Sequence, residues 1–128
     1  VTGGQITLNR FATKVQIGFD SPAQLQTMRA DGGAQDGTTQ TRSKSFGEVW
    51  ARLRHTIGGL IGPTFDRLDP IPGLKPSSPV GTRPELFSGD RKLEFPADVG
   101  TDGYICVQSS PMLPMTLVAL TARMEVND

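Results

Sequence analysis

Phe46-Gly47-Glu48-Val49-Trp50-Ala51-Arg52-Leu53-Arg54-His55-Thr56-Ile57-Gly58-Gly59-Leu60-Ile61 is the stretch on which the fold class turns. Phe46, Val49, Trp50, Leu53, Ile57, Leu60 and Ile61 recur at helical spacing and would line one face of an amphipathic helix. Val49, Ala51 and Leu53 also alternate with Glu48, Arg52 and Arg54, the period-two spacing of a half-buried strand. Gly47 near one end and Gly58-Gly59 at the other count against a helix, each costing it up to about 1 kcal/mol. Periodicity alone leaves both readings open.

Toward the N-terminus, residues 35–45 carry no apolar side chain, so they read as an exposed connection with Asp36-Gly37 as its turn. Further upstream, Ile6 and Leu8 alternate with polar residues. Val15, Ile17 and Phe19 do the same until Asp20-Ser21-Pro22 ends the run. Both are strand signals, and Leu25 to Met28 reads as a third, closed by Ala30-Asp31-Gly32-Gly33.

Toward the C-terminus, six prolines fall between Gly62 and Pro84 (positions 63, 70, 72, 76, 79 and 84). Proline has no ladder donor, so the expectation is a long irregular loop with no central strand, pinned by Phe65, Leu68 and Ile71. Beyond it, Leu93 and Phe95 alternate with charge before Pro96. Tyr104 to Val107 is nearly continuous apolar sequence, as in a strand covered on both faces. Val118, Leu120, Ala122, Met124 and Val126 form the clearest period-two run. The expected fold is all-β: a small antiparallel β-sandwich or barrel of about six to seven strands with a long Pro-rich loop.

Composition agrees. Fifteen glycines and ten prolines in 128 residues exceed the usual share of about 12% and suit many short strands joined by turns. The length fits a single β domain over 1–128. Because the chain opens on Val1 and leads almost at once into a strand-like run, it is expected to be a fragment of something longer, or a processed product. Thirteen basic and thirteen acidic residues leave no excess of positive charge for displacing phosphate counterions, which argues against a dedicated nucleic-acid binder. No apolar run approaches the roughly 18 residues that cross a bilayer, so no membrane insertion is expected.

The residues offer little chemistry. His55 is the one histidine and reads as a surface or interface side chain; no Gly-x-Ser-x-Gly elbow accompanies it. Cys106 is the one cysteine, flanked by Ile105 and Val107, and reads as a small buried residue. One histidine and one cysteine make a poor zinc set. Asp98 and Asp102 lie in an oxygen-rich turn that lacks the spacing of a calcium loop. No glycine pair is followed by the residues of a phosphate cradle. The expectation is a protein that is no enzyme, with no cofactor and no metal. Two features could serve binding: the basic cluster Arg42, Lys44, Arg52 and Arg54, which is otherwise a solvated strand face, and Trp50, a candidate aromatic platform.

Three stretches taken together carry a resemblance. They are Ala12-Thr13-Lys14-Val15-Gln16-Ile17-Gly18; Gln35-Asp36-Gly37-Thr38 with Arg42, Lys44 and Val49-Trp50-Ala51-Arg52-Leu53; and Leu86-Phe87-Ser88-Gly89-Asp90 leading to Glu94-Phe95-Pro96, Gly103-Tyr104-Ile105-Cys106-Val107 and Pro111-Met112-Leu113-Pro114-Met115-Thr116. In order and rough spacing the chain resembles the C-terminal region of podovirus-type phage tail nozzle (tail-stabilisation) proteins, from about residue 4 to 126. It departs from that pattern at Ser21-Pro22-Ala23 and in the length of the proline-rich excursion. The resemblance implies that the stretch Val49 to Leu53 is a strand, which tips the reading toward a strand from about residue 47 to 57. It also implies a structural, oligomeric virion component, made in the host cytoplasm, whose partners are copies of itself and neighbouring tail proteins and which lets DNA pass. It brings no catalytic residues. The alternative expectation is a receptor- or carbohydrate-binding β module of a phage appendage.

Overall fold

The computed structural model describes residues 3–32, 37–73, 84–96 and 99–127. Among them there is no helix. Seven strands appear: β1 (Gln24–Gln26), β2 (Ser43–Thr56), β3 (Leu60–Thr64), β4 (Arg67–Pro70), β5 (Phe87–Leu93), β6 (Cys106–Gln108) and β7 (Leu117–Asn127). They form two antiparallel sheets, one ordered β5-β2-β7 and the other β1-β6-β3-β4. The core draws on both sheets: Val49, Ala51, Leu53 and Leu93 from the first, Ile61 and Val107 from the second, with Ile71 and Ile105 beside them. The arrangement is that of a small β-sandwich.

The stretch 46–61 is therefore sheet, in two strands. Val49, Ala51 and Leu53 are buried while Trp50, Arg52 and Arg54 face outward. Gly58 (φ 69°) and Gly59 (φ 106°) turn the chain in the left-handed region before Leu60 and Ile61 enter β3. The helical spacing arose because two separate strands each contribute apolar residues. A bulge at Gly47 also shifts the alternation: Phe46 pairs with Met124, but Glu48 pairs with Arg123.

The last strand carries a similar shift. Arg52 is opposite Ala119 and Leu53 is opposite Leu117, so Val118 is the extra residue and points to solvent. Leu117, Leu120, Ala122, Met124 and Val126 are the half-buried residues of β7, and the alternation expected from Val118 onward holds from Leu120.

Three expectations need correction. A strand does run into the proline-rich region, since β3 contains Gly62 and Pro63 and lies between β6 and β4. It tolerates Pro63 because β6 pairs only with Leu60 to Gly62, and toward β4 the register breaks between Ile61 and Thr64. No ladder bond is asked of the missing N–H. Ile71 pins the segment in the core, Phe65 is exposed, and residues 74–83 lie outside the described residues.

The connection before β2 is not wholly exposed. Thr39 and Lys44 are buried, and Gln35 and Asp36 fall outside the described residues. Finally, the runs around Ile6–Leu8 and Val15–Phe19 form no strand here, although β1 does occupy Gln24–Gln26. Alternation records which side of a strand is apolar. It does not say which chain supplies the neighbouring strand.

A Cβ on Gly62 would lie far inside van der Waals contact with the Arg67 carbonyl oxygen. Urea unfolding should show Ile61→Val losing about 1 kcal/mol and Gly62→Ala losing clearly more. Equal losses would contradict the close approach of β3 and β4.

Candidate interaction site

Strand alternation places Glu48, Trp50, Arg52 and Arg54 on the outer face of the β5-β2-β7 sheet. Trp50 keeps 41% of its surface exposed and sits opposite Lys92 on one side and Thr121 on the other. Arg52 grips Asp90 with both arms of its fork: Nε donates to Oδ1 at 2.7 Å and Nη2 to Oδ2 at 2.9 Å. That hydrogen bonding holds the Asp90 carboxyl below its usual range and raises the Arg52 guanidinium further. Lys92 donates to Glu48 in the same way across the sheet, and the Glu48 carboxyl is lowered, chiefly by that hydrogen bond. The outer face is thus laced with matched charge.

The four cations of the expected basic cluster do not form one patch. Arg52 and Arg54 share the outer face, with Arg52 committed to Asp90. Lys44 lies on the core side of the Gly47 bulge and is buried, with Nζ donating to the Thr101 carbonyl at 3.1 Å. Its backbone bridges Gly100, with N–H···O distances of 2.8 and 3.1 Å. Arg42 is half-buried just before β2, its N–H donating to the Thr39 carbonyl. Strict alternation would have put Lys44 beside Arg52. The single extra residue at Gly47 separates them.

Lys44 also borders a cleft of about 230 Å³ shared with Phe46, Phe95, Thr101 and Tyr104. Phe46 and Phe95 meet edge-to-face there, with ring centroids 5.6 Å apart. At its rim Arg29 donates to the Tyr104 hydroxyl and pairs with Asp102 at 3.0 Å. Asp98, the other carboxylate of the oxygen-rich turn, lies outside the described residues.

His55 takes a left-handed conformation (φ 46°) where the β2–β5 register breaks, and its backbone N–H donates to Ser88 Oγ. Its side chain is exposed. The Cys106 thiol is buried, donates to the Pro63 carbonyl at 3.5 Å, and is pushed up by desolvation. Among the described residues no three His, Cys, Asp or Glu side chains gather as a metal group.

The largest apolar exposure lies elsewhere. Ile6, Leu8, Phe11, Val15, Ile17 and Phe19 project from residues 6–22, which hold no strand, and Phe11 and Phe19 are essentially fully exposed. This arm was visible in the sequence as alternation, but its exposure was not.

Asp31, expected only as a turn residue, proves to be a tether. Its Oδ1 accepts from the N–H and the hydroxyl of Thr39, and its Oδ2 from the Thr38 hydroxyl, each at 3.0 Å. These bonds fasten the connection that delivers the chain into β2. The sole hint was an Asp-Gly turn followed by Thr38-Thr39.

The chain matches no protein-family model and no curated protein sequence.

The Thr39 and Thr38 donors lower the Asp31 carboxyl from its ordinary 3.8. A carboxyl depressed by folding stabilises the fold above its unfolded value, and that contribution disappears as pH falls through the lower folded value. Asp31→Asn should therefore melt below wild type at pH 7, with the gap closing as the pH falls through and below the ordinary carboxylate range. A gap of constant size down to acid pH would contradict the role given to the carboxylate.

Proposed function

We propose that this chain is a structural assembly module, with no catalytic role, and that it belongs to the nozzle of a short-tailed bacteriophage. The observation that carries the assembly reading is the exposed arm. Soluble monomers rarely leave a contiguous set of large apolar side chains in water, and such sets mark surfaces that other macromolecules cover. Six large apolar residues within residues 6–19 stand exposed here, closely spaced along the chain. The tail assignment rests on the three-part sequence resemblance, whose stretches include the arm (Ala12–Gly18), β2 and the β5–β6 region.

In this reading the two-sheet body is a rigid block in a ring of identical subunits, joined to neighbouring tail proteins, around a passage for DNA. The outer sheet face, with Arg52 and Lys92 each matched to a carboxylate, suits a surface that DNA passes without being held. The protein is made in the host cytoplasm and ends in the virion.

A second reading has one observation in its favour. Trp50 lies exposed on an open sheet face with Arg52 and Lys92 beside it, an arrangement that could stack a sugar ring. A glycan array comparing wild type with Trp50→Ala separates the two. Specific binding lost on substitution favours a receptor-binding module, and no binding by either form favours assembly.

The assembly reading is tested on the parent protein. Electron microscopy should show it as a ring, and mass spectrometry should find it in purified virions. A strictly monomeric parent absent from virions would overturn it.

A further inference from the structure

We infer that the arm segment Lys14–Phe19 adds as an extra strand to the free edge of β7 in a second copy of the chain. The inference rests on the self-assembly reading above and specifies the contact that assembly uses.

The donor is already suited to a sheet. Val15, Ile17 and Phe19 fall on one side of an extended segment, with Lys14, Gln16 and Gly18 on the other, and all three apolar side chains are exposed. None of the loop backbone hydrogen bonds found among the described residues involves residues 6–22. Fully extended, residues 6–22 reach about 55 Å, far enough to cross to a neighbouring body.

The acceptor follows from how the four sheet edges are protected. β1 spans three residues, and β4 spans four and ends on Pro70, so both are too short or too blocked to template a strand. β5 carries Asp90, Arg91 and Lys92 in succession and is kinked by Gly89 at φ 141°. Its Arg91 is half-buried on the Leu93 side, stacked 4.0 Å over the Phe87 ring, and an inward charge is a known guard on an edge strand.

β7 has none of these devices. It runs for eleven residues without proline, and its core-side residues Leu120, Ala122, Met124 and Val126 are uncharged. Among the described residues it pairs only with β2, leaving its other edge open. Its core-side residues are also only half-buried, so apolar surface continues past the edge. A strand laid there with Val15, Ile17 and Phe19 inward would extend the core layer, and Lys14 and Gln16 would continue the polar outer face of Thr121, Arg123 and Glu125. Strand addition of this kind takes affinity from the backbone ladder and specificity from alternate side chains.

The test places a nitroxide on the arm of one copy through Gln16→Cys. Cys106 is buried with its thiol pushed up, so the label goes to position 16. This unlabelled-isotope copy is mixed with deuterated, 15N-labelled wild type. The expected result is intermolecular broadening of the amide signals of Leu117–Asn127, with loss of that broadening when the spin-labelled copy also carries Ile17→Asp and Phe19→Asp. The same double variant should sediment as the 13.7 kDa monomer. Both substituted positions are exposed, so the variant keeps its fold, which its own amide spectrum verifies. Absence of broadening, broadening centred on β1, β4 or β5, or broadening that survives the double substitution would each overturn the inference. The tail reading fails independently, if virions lack the parent protein.

Discussion

The two-sided pairing of β2 is the constraint on which the rest of the molecule depends. Val49 to Leu53 is bonded to β5 along one edge and to β7 along the other, which satisfies the backbone and fixes three small or branched side chains toward the second sheet. Burying side chains of the size of Val49 and Leu53 stabilises a fold by about 1.5–3 kcal/mol each. The ion pairs on the outer face of the same strand are half exposed and screened by salt, so they set the character of that face more than they hold the fold. The core side of β2 holds the sandwich together, and its outer side stays open to water.

Around that spine the irregularities are concentrated at a few residues. An extra residue at Gly47 turns Lys44 and Phe46 inward, and another at Val118 turns that valine outward. A break at Pro63 lets β3 serve as an interior strand. Each is local and each changes which face a side chain meets; the cleft beside Lys44 is lined by residues next to two of them, Phe46 at the first and Pro63 at the last.

This explains what the residues revealed in advance and what they hid. The alternation of Val49, Ala51 and Leu53, and of Leu120 to Val126, survives intact because those stretches contain no bulge. Of the continuous apolar sequence from Tyr104 to Val107, the last three residues are buried, but the strand begins only at Cys106 and Tyr104 is half-buried beside it. Lys44 was placed with Arg52 and Arg54 because a bulge leaves no mark in composition. Pro63 was read as a strand breaker because its freedom from ladder bonds depends on where β6 stops. The arm was read as strand because its residues are strand-like, but alternation does not say whether a neighbouring strand is present. Asp31 was read only as part of a turn, because a carboxylate that ties two segments together is recognised only once its donors are in place. For the binding candidates, the outward direction of Trp50, Arg52 and Arg54 was legible. The neutralising partner of Arg52, Asp90, lies 38 residues further along the sequence and was not.

The chain thus consists of a two-sheet body and an arm whose large apolar side chains stay exposed. Hydrogen exchange on dilute protein, where copies are kept apart, reads both parts at once. Amides of Val49–Leu53 should be among the slowest, and those of residues 6–22 should exchange nearly as fast as an unstructured chain. Slow exchange across Val15–Phe19 under those conditions would mean that the arm is a strand of its own body, and the account would be wrong.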